Sequence, residues 1–310
     1  MSKQVSNLID FKSSSLNEIQ NLFSLTQKIK KNFAKGFASE SEVHSKLKGR
    51  TSGLLFFEPS TRTSFSFQTS SVRLGLHPLV FSALGATSLE KGETFEDTVR
   101  NIAALGPEVL VIRCDDDLDL PSLAQEIEIP VVNAGWGRRG HPTQALLDAY
   151  TIWENRGSTS AYKILFVGDI RHSRVFQSHM ELSKILGFQA GVCAPESLLP
   201  NTTQGLPVFI NLKAGLEWCD VVMFLRVQSE RHSNSMSIEK YNESFGLNEK
   251  SAQWLNSRAL ILHPGPINYG VEVDEKLMGD PRVKVLEQVA NGVHLRQAVL
   301  MQALQSRGVL

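Results

Sequence analysis

The sequence predicts an α/β protein of two domains, each a mostly parallel β-sheet flanked by helices, and three observations carry that reading. Its 310 residues suit about two domains of ordinary size, each able to bury a core. Short apolar runs alternate with longer segments of helical period, the pattern of βαβ units and a parallel sheet. The alternation occurs twice, on either side of the polar stretch Asn155-Arg156-Gly157-Ser158-Thr159-Ser160.

The elements follow in order. Ser15-Leu16-Asn17-Glu18 has capping-box spacing, and Ile19, Leu22, Phe23 and Ile29 continue at helical period. Lys28, Lys30, Lys31 and Lys35 then cluster where charge favours a helix C-terminus. Four strands are predicted, at Leu54–Phe57, Leu79–Ala83, Val109–Cys114 and Pro130–Ala134. Helices are predicted over Thr61–Leu74 and Thr94–Leu105. A helix from Pro142 through Trp153 turns Leu146, Leu147 and Tyr150 inward. The second block runs strand Lys163–Val167, helix Arg174–Leu186, then strands Gly191–Cys193, Val221–Leu225 and Leu260–Leu262. Val175, Phe176, His179, Leu182 and Leu186 share one face of that helix, and Gly187 supplies its C-cap. An amphipathic helix over roughly Val283–Leu304 closes the chain.

Composition removes several function classes. Lys and Arg number 32 against 32 Asp and Glu, so the formal net charge is zero. A neutral chain has no global attraction for nucleic acid or an anionic membrane, and no local basic stripe replaces it. Apolar runs reach four or five residues, far short of a membrane span. No secretory leader is recognisable at the N-terminus, so a cytoplasmic protein is expected. Cys114, Cys193 and Cys219 form no CxxC pair and lie in or beside apolar runs, which predicts reduced buried thiols. The histidines outside the motifs below, His44, His77, His172, His179, His232 and His294, show no HxxxH or HxxEH spacing. His172 and His179 are spaced to share a helix face, but further ligands are lacking, so no metal or other cofactor is predicted. No GxGxxG follows a predicted strand, which argues against a nicotinamide dehydrogenase.

Chemistry concentrates first at Phe56-Phe57-Glu58-Pro59-Ser60-Thr61-Arg62-Thr63-Ser64-Phe65. An apolar strand runs into a proline, then into three hydroxyls and an arginine at a helix start. Helix N-termini carry unpaired N–H groups and partial positive charge, and a guanidinium fork matches phosphate oxygens. Taken alone, those four polar residues serve helix capping and anion binding equally well. The longer stretch resembles the F-x-x-x-S-T-R-T carbamoyl-phosphate signature of the carbamoyltransferase family. Three more stretches resemble family motifs in family order: Ser88-Leu89-Glu90-Lys91-Gly92-Glu93-Thr94, Val111-Ile112-Arg113 and His141-Pro142-Thr143-Gln144. Leu225-Arg226-Val227-Gln228 is similar to the Arg-x-Gln motif of the aspartate branch. The ornithine branch differs, carrying arginine where Ser64 stands and His-Cys-Leu-Pro where this chain has His263-Pro264-Gly265-Pro266.

The resemblance implies transfer of the carbamoyl group from carbamoyl phosphate to the α-amine of L-aspartate, an early step of pyrimidine biosynthesis. A carbamoyltransferase for another amine, such as ornithine, is the alternative. It implies a carbamoyl-phosphate-binding domain over 1–142, on which the helix of about 286–310 packs back, and an aspartate-binding domain over 143–285. By the same resemblance, Ser60, Thr61, Arg62, Thr63 and Arg113 bind the phosphate, and Arg62, Thr63 and His141 contact the carbonyl oxygen. Gln144 and the carbonyls of Gly265 and Pro266 serve the carbamoyl amide. Arg174, Arg226 and Gln228 hold the aspartate carboxylates. Ser88 and Lys91 reach a neighbouring subunit's site, with Lys91 on the aspartate, which implies a homotrimer. A regulatory chain or a dihydroorotase is a further partner the resemblance admits.

Two residues carry a simpler structural alternative. His141 beside Pro142 would serve equally as a helix cap, and Arg174 would serve as a surface arginine. Prolines 264 and 266 are expected to lock an extended turn whose carbonyls point one way. Glu90, Cys114, Trp136 and Tyr269 depart from the family pattern.

Overall fold

The computed structural model describes residues 6–34, 42–82, 92–200, 202–203, 205–227 and 238–310. The chain divides into two compact units, Met1–Leu147 with Val289–Leu310, and Asp148–Gln288. Both boundaries fall inside helices, so the polar stretch 155–160 lies within the second unit instead of between the two.

The first unit opens with α1 (Leu16–Ala34). Its capping box forms as the spacing predicts: the Ser15 N–H donates to Glu18 Oε2 at 2.7 Å, and the Glu18 N–H donates to Ser15 Oγ at 3.3 Å. After α2 (Glu42–Leu47) come β1 (Thr51–Phe56), α3 (Thr61–Leu74), β2 (His77–Ser82), α4 (Phe95–Ala104), β3 (Leu110–Cys114), α5 (Leu120–Glu126) and β4 (Val131–Trp136). The strands form one parallel sheet in the order β2-β1-β3-β4. Leu54, Leu55, Leu110, Val111, Ile112, Val131 and Val132 are wholly buried, as a sheet covered on both faces requires. Trp136, a departure from the family pattern, packs into the core beside Leu118 and donates its indole N–H to the Leu118 carbonyl at 2.9 Å.

The strands extend beyond the apolar runs that marked them. β1 begins at Thr51 and β2 at His77 because ladder bonds recruit polar residues, including His77 N–H to the Arg50 carbonyl at 2.8 Å. Buried Ser52 stays satisfied by the Ser71 hydroxyl at 2.9 Å.

The helix α6 (Pro142–Arg156) leads into the second unit. There follow β5 (Lys163–Val167), α7 (Arg174–Leu186), β6 (Gln189–Cys193), β7 (Val208–Phe209), α8 (Leu212–Trp218), β8 (Val221–Phe224), α9 (Ile238–Phe245) and β9 (Leu260–Leu262). This sheet is parallel too, in the order β7-β6-β5-β8-β9. Gly187 ends α7 in the left-handed region, at φ +78°. Helix α8 carries a mid-helix glycine, Gly215, because a Cβ there would meet Leu165 Cδ2 at 2.8 Å.

The last helix, α10 (Val285–Arg307), departs from the amphipathic expectation. Its middle buries polar residues as well as apolar ones: Asn291, His294, Arg296 and Gln297 are buried beside Leu295 and Leu300. Three side-chain bonds within the first unit tie this stretch down, two of them to Asn291 and Arg296. Lys30 Nζ reaches Asn291 Oδ1 at 2.8 Å, the Ser70 hydroxyl donates to the Val293 carbonyl at 2.9 Å, and Arg296 Nη1 donates to Ser66 Oγ at 2.8 Å.

Cys114, Cys193 and Cys219 are free and buried, and burial pushes the thiols of Cys193 and Cys219 up to about 12. No helix among the described residues is long and apolar enough to cross a membrane.

Gly168 sets how closely two strand ends approach. It follows β5 at φ +123°, and a Cβ there would sit 2.3 Å from the Leu225 carbonyl oxygen. The Leu225 N–H meanwhile bonds the Val167 carbonyl at 2.7 Å. Gly168→Ala should therefore cost roughly 2–3 kcal/mol, read by calorimetry as a melting temperature lower by several degrees. An unchanged melting temperature would show that the strand ends have room for the methyl group.

Candidate active site

In the first unit the parallel register collects functional side chains at the C-terminal edge of the sheet, where open α/β sheets bind ligands. Phe56 pairs with Arg113, and the next rung, from the Phe57 N–H to the Arg113 carbonyl, is 2.8 Å long. Strand β1 therefore delivers Ser60–Thr63 beside the end of β3, and β4 lies on the far side of β3.

Ser60 stands at the N-cap of α3 with extended backbone, φ −161° and ψ 95°, yet its hydroxyl makes no capping bond. The capping alternative for Ser60 is thus removed. Helix α3 leaves its first N–H groups without intrahelical acceptors, because the ladder starts at Ser64 N–H to the Ser60 carbonyl, 3.3 Å. Thr61 and Arg62 are exposed at this terminus, whereas Thr63 is buried. Together they make a cationic, donor-rich cradle for an anion.

Arg113 is held at the sheet edge by groups the sequence did not single out. Its Nε lies 3.4 Å from Glu58 Oε2, and its Nη1 donates to the Ala134 carbonyl at 3.4 Å. Glu58 occupies the variable centre of the signature stretch, so the motif alone could not reveal this pairing.

His141 immediately precedes α6 and Gln144 lies in its first turn; both are buried. The His141 carbonyl accepts the N–H groups of Gln144 and Ala145, at 3.0 and 3.2 Å, which starts the helix ladder. The tight turn after β4 that places His141 is pinned by Trp136 N–H to the Gly140 carbonyl, 2.9 Å. Thr143, between them in the sequence, is wholly buried.

The second unit repeats the principle. Strands β5, β8 and β9 are neighbours in one parallel sheet, so their following segments emerge at one edge. Asp169, nearly buried, takes the His172 N–H at 3.2 Å, and its Oδ1 lies 2.9 Å from His172 Nδ1. This ties down the loop that ends at the Ser173 cap, whose hydroxyl accepts from the Phe176 N–H at 3.1 Å. Arg174 is the first residue of α7 and half-buried. Arg226 follows β8 and is also half-buried. The turn after β9 differs from the extended run expected of its prolines. Gly265 takes φ +68° before a cis bond to Pro266, and its N–H donates to His263 Nδ1 at 2.8 Å.

His172 precedes α7 instead of sharing its face with His179, whose buried Nδ1 lies 2.9 Å from the Val175 carbonyl. Among the described residues no group of three or more His, Cys, Asp or Glu is placed to hold a metal. Ser88, Lys91 and Gln228, together with Glu90, Arg231 and His232, lie outside the described residues.

The uncapped Ser60 hydroxyl yields a sharp expectation. Ser60→Ala should change stability by less than ~0.5 kcal/mol, where loss of a capping serine costs about 1 kcal/mol. Its affinity for inorganic phosphate, measured by calorimetry, should fall at least ~10-fold. A melting temperature that drops while phosphate binding holds would restore the capping role.

Comparison with known proteins places both units in one family. Residues 6–154 match the family model described as aspartate/ornithine carbamoyltransferase, carbamoyl-P binding domain. Residues 160–303 match its Asp/Orn binding domain. An aspartate carbamoyltransferase catalytic subunit from Opitutus terrae is 43% identical over 258 residues, covering 82% of each chain. Another from Pelagibacter ubique is 40% identical over 275 residues, 87% of this chain and 88% of its own. Among solved structures, aspartate transcarbamoylase from Trypanosoma cruzi in complex with N-(phosphonacetyl)-L-aspartic acid superposes with TM-score 0.84 at 27% identity. It covers 97% of this chain and 96% of its own. Ornithine carbamoyltransferase from Thermus thermophilus gives TM-score 0.82 at 25% identity, covering 96% and 98%. With both halves of the family model matched and the relatives spanning most of its length, the chain belongs to the aspartate/ornithine carbamoyltransferase family.

Proposed function

We propose that the chain is an aspartate carbamoyltransferase, converting carbamoyl phosphate and L-aspartate to N-carbamoyl-L-aspartate and phosphate. One observation carries the choice of amine. Arg174 and Arg226 emerge at the same edge of the second sheet, one at the start of α7 and one at the end of β8. Aspartate brings two carboxylates that two guanidinium groups can grip, each by paired charge-assisted hydrogen bonds. Ornithine would turn a side-chain cation toward the same groups, and like charges repel. The relatives named as aspartate carbamoyltransferase catalytic subunits support the same choice.

The chemistry follows from the donors. Ser60, Thr61, Arg62, Thr63 and Arg113 receive the phosphate. The neutral aspartate amine attacks the carbonyl carbon; the C–N bond forms, the carbonyl oxygen takes up negative charge, and the carbon–oxygen bond to phosphate then breaks, with the leaving phosphate accepting the amine proton. Arg62, Thr63 and His141 stabilise that oxyanion, each contribution being about 3 kcal/mol in comparable sites. Gln144 and the carbonyls of Gly265 and Pro266 orient the carbamoyl amide, and Gln228 assists Arg226. No step calls for a protein nucleophile. The buried free thiols suit a reducing compartment, and we place the enzyme in the cytoplasm.

The purified chain should form carbamoylaspartate and prefer aspartate to ornithine when the two amines are assayed side by side. Arg62→Ala should lower kcat/KM at least ~100-fold. A clear ornithine preference would overturn the choice of amine, and normal turnover by the Arg62 variant would remove that residue's role.

We also infer that the chain works as a homotrimer in which Ser88 and Lys91 enter a neighbour's site. The supporting feature is the edge strand β2, where Leu79 and Val80 are each 47% exposed, with Phe65 and Val72 of α3 exposed as well. An apolar edge strand left open to water invites pairing or aggregation, and a second copy covers it. Strand β2 ends at Ser82, six residues before Ser88 in the sequence. In solution the mass should be three times the 34.4 kDa of one chain. Leu79→Asp with Val80→Asp should shift it to single chains, with activity lost in parallel. A wild-type mass of one chain by light scattering would overturn the assembly.

A further inference from the structure

We propose that Glu272 is a positioning residue for catalysis, holding the Arg226 segment and the Gly265–Pro266 turn in one register without touching substrate. The inference rests on the carbamoyl-transfer reading above, and it concerns how the second unit builds its half of the site.

Glu272 is wholly buried, and its carboxylate receives three hydrogen bonds. The Val227 N–H donates to Oε1 at 2.7 Å, the Asn268 N–H to Oε2 at 2.7 Å, and Asn268 Nδ2 to Oε1 at 2.9 Å. Asn268 Nδ2 also lies 3.2 Å from the Val227 carbonyl, which closes the clasp. Val227 adjoins Arg226, and Asn268 stands two residues after Pro266. One carboxylate thus staples the exit of β8 to the exit of β9, the two segments carrying an aspartate grip and the carbonyl turn.

The staple has a second arm on the same turn. The His263 N–H donates to Gln288 Oε1 at 3.0 Å, and Gln288 Nε2 donates to Asp148 Oδ1 at 2.7 Å. His263 Nδ1 accepts the Gly265 N–H, so in the neutral ring Nε2 carries the proton, facing Glu272 Oε2 at 4.0 Å. The turn is consequently fixed at both ends, before Pro264 and after Pro266.

Energetics argue that stability is not what this carboxylate supplies. Burying a carboxylate costs several kcal/mol before its bonds recover it, and an apolar side chain of similar volume often stabilises as well or better. Its three donors nevertheless fix both oxygens in place, so the group defines geometry. A misplacement of ~1 Å at a binding group costs catalysis heavily.

The test is Glu272→Gln, which keeps the shape but turns an NH2 group toward one of the two backbone N–H donors and opens one arm of the clasp. The wild-type and variant chains are assayed in parallel for the KM of each substrate, kcat and phosphate affinity. The KM for aspartate should rise at least ~10-fold, since Arg226 is displaced, while affinity for inorganic phosphate stays within ~2-fold. Asn268→Ala removes a side-chain donor but retains the charge and should raise the same KM by a smaller factor. If the Gln variant does not fold, the Asn268 variant decides. Unchanged KM for aspartate in an active protein, or a parallel loss of phosphate affinity, would overturn the positioning role. A wild-type chain inactive with aspartate would instead overturn the functional reading on which it stands.

Discussion

Two hydrogen bonds fix where the chemistry can be. Phe57 N–H to the Arg113 carbonyl, 2.8 Å, and Leu225 N–H to the Val167 carbonyl, 2.7 Å, each close a parallel ladder at its C-terminal end. A parallel ladder lets neighbouring strands stop at one edge, and the crossover helices must begin there. Chain leaving that edge is freed from pairing and meets helix N-termini that favour anions. Arg62 and Arg113 emerge at one such edge, Arg174 and Arg226 at the other. A one-residue slip in either ladder would turn these side chains to the opposite face.

The strand exits are then held by carboxylates. Glu58 lies beside Arg113, Asp169 grips the loop ahead of Arg174, and Glu272 takes the amides around Arg226 and Asn268. Asp169 and Glu272 bind backbone N–H groups, whose dipoles stabilise the negative charge without supplying a counter-charge. That matters for Glu272, whose burial pushes its carboxyl above the ordinary range while the N–H bonds pull it back. Both carboxylates thus hold their loops through backbone dipoles.

The pattern of legibility follows from range. The strands and long helices were readable because their signals are local: β5 and α7 begin and end where their apolar runs do, and Gly187 marks its cap. The short helices α2, α5, α8 and α9 and the two-residue strand β7 escaped, being two to eight residues and too brief to display a period; in α8 a glycine needed for packing interrupts the pattern as well. The polar interior of α10 was unreadable because its partners Lys30, Ser66 and Ser70 lie more than 200 residues away. The site divides the same way. Ser60–Thr63, Arg113, His141 and Gln144 stood in contiguous motifs. Glu272 bonds Val227 across 45 residues, and Gln288 bonds Asp148 across 140, with no local spacing to announce either.

A net charge of zero is therefore a sum over unlike environments. The exposed ion pairs, such as Arg100 with Asp97 and Glu126, balance in water and contribute little to stability. At the sheet edges Asp169 and Glu272 are buried and accept backbone N–H groups, while Arg62 is exposed. Carbamoyl phosphate and aspartate together bring about four negative charges, and a surface that repelled them globally would slow their capture, while a globally basic one would bind any polyanion. A local excess at the proposed site, on a surface neutral overall, is the arrangement that serves these two anions and leaves the rest of the surface indifferent.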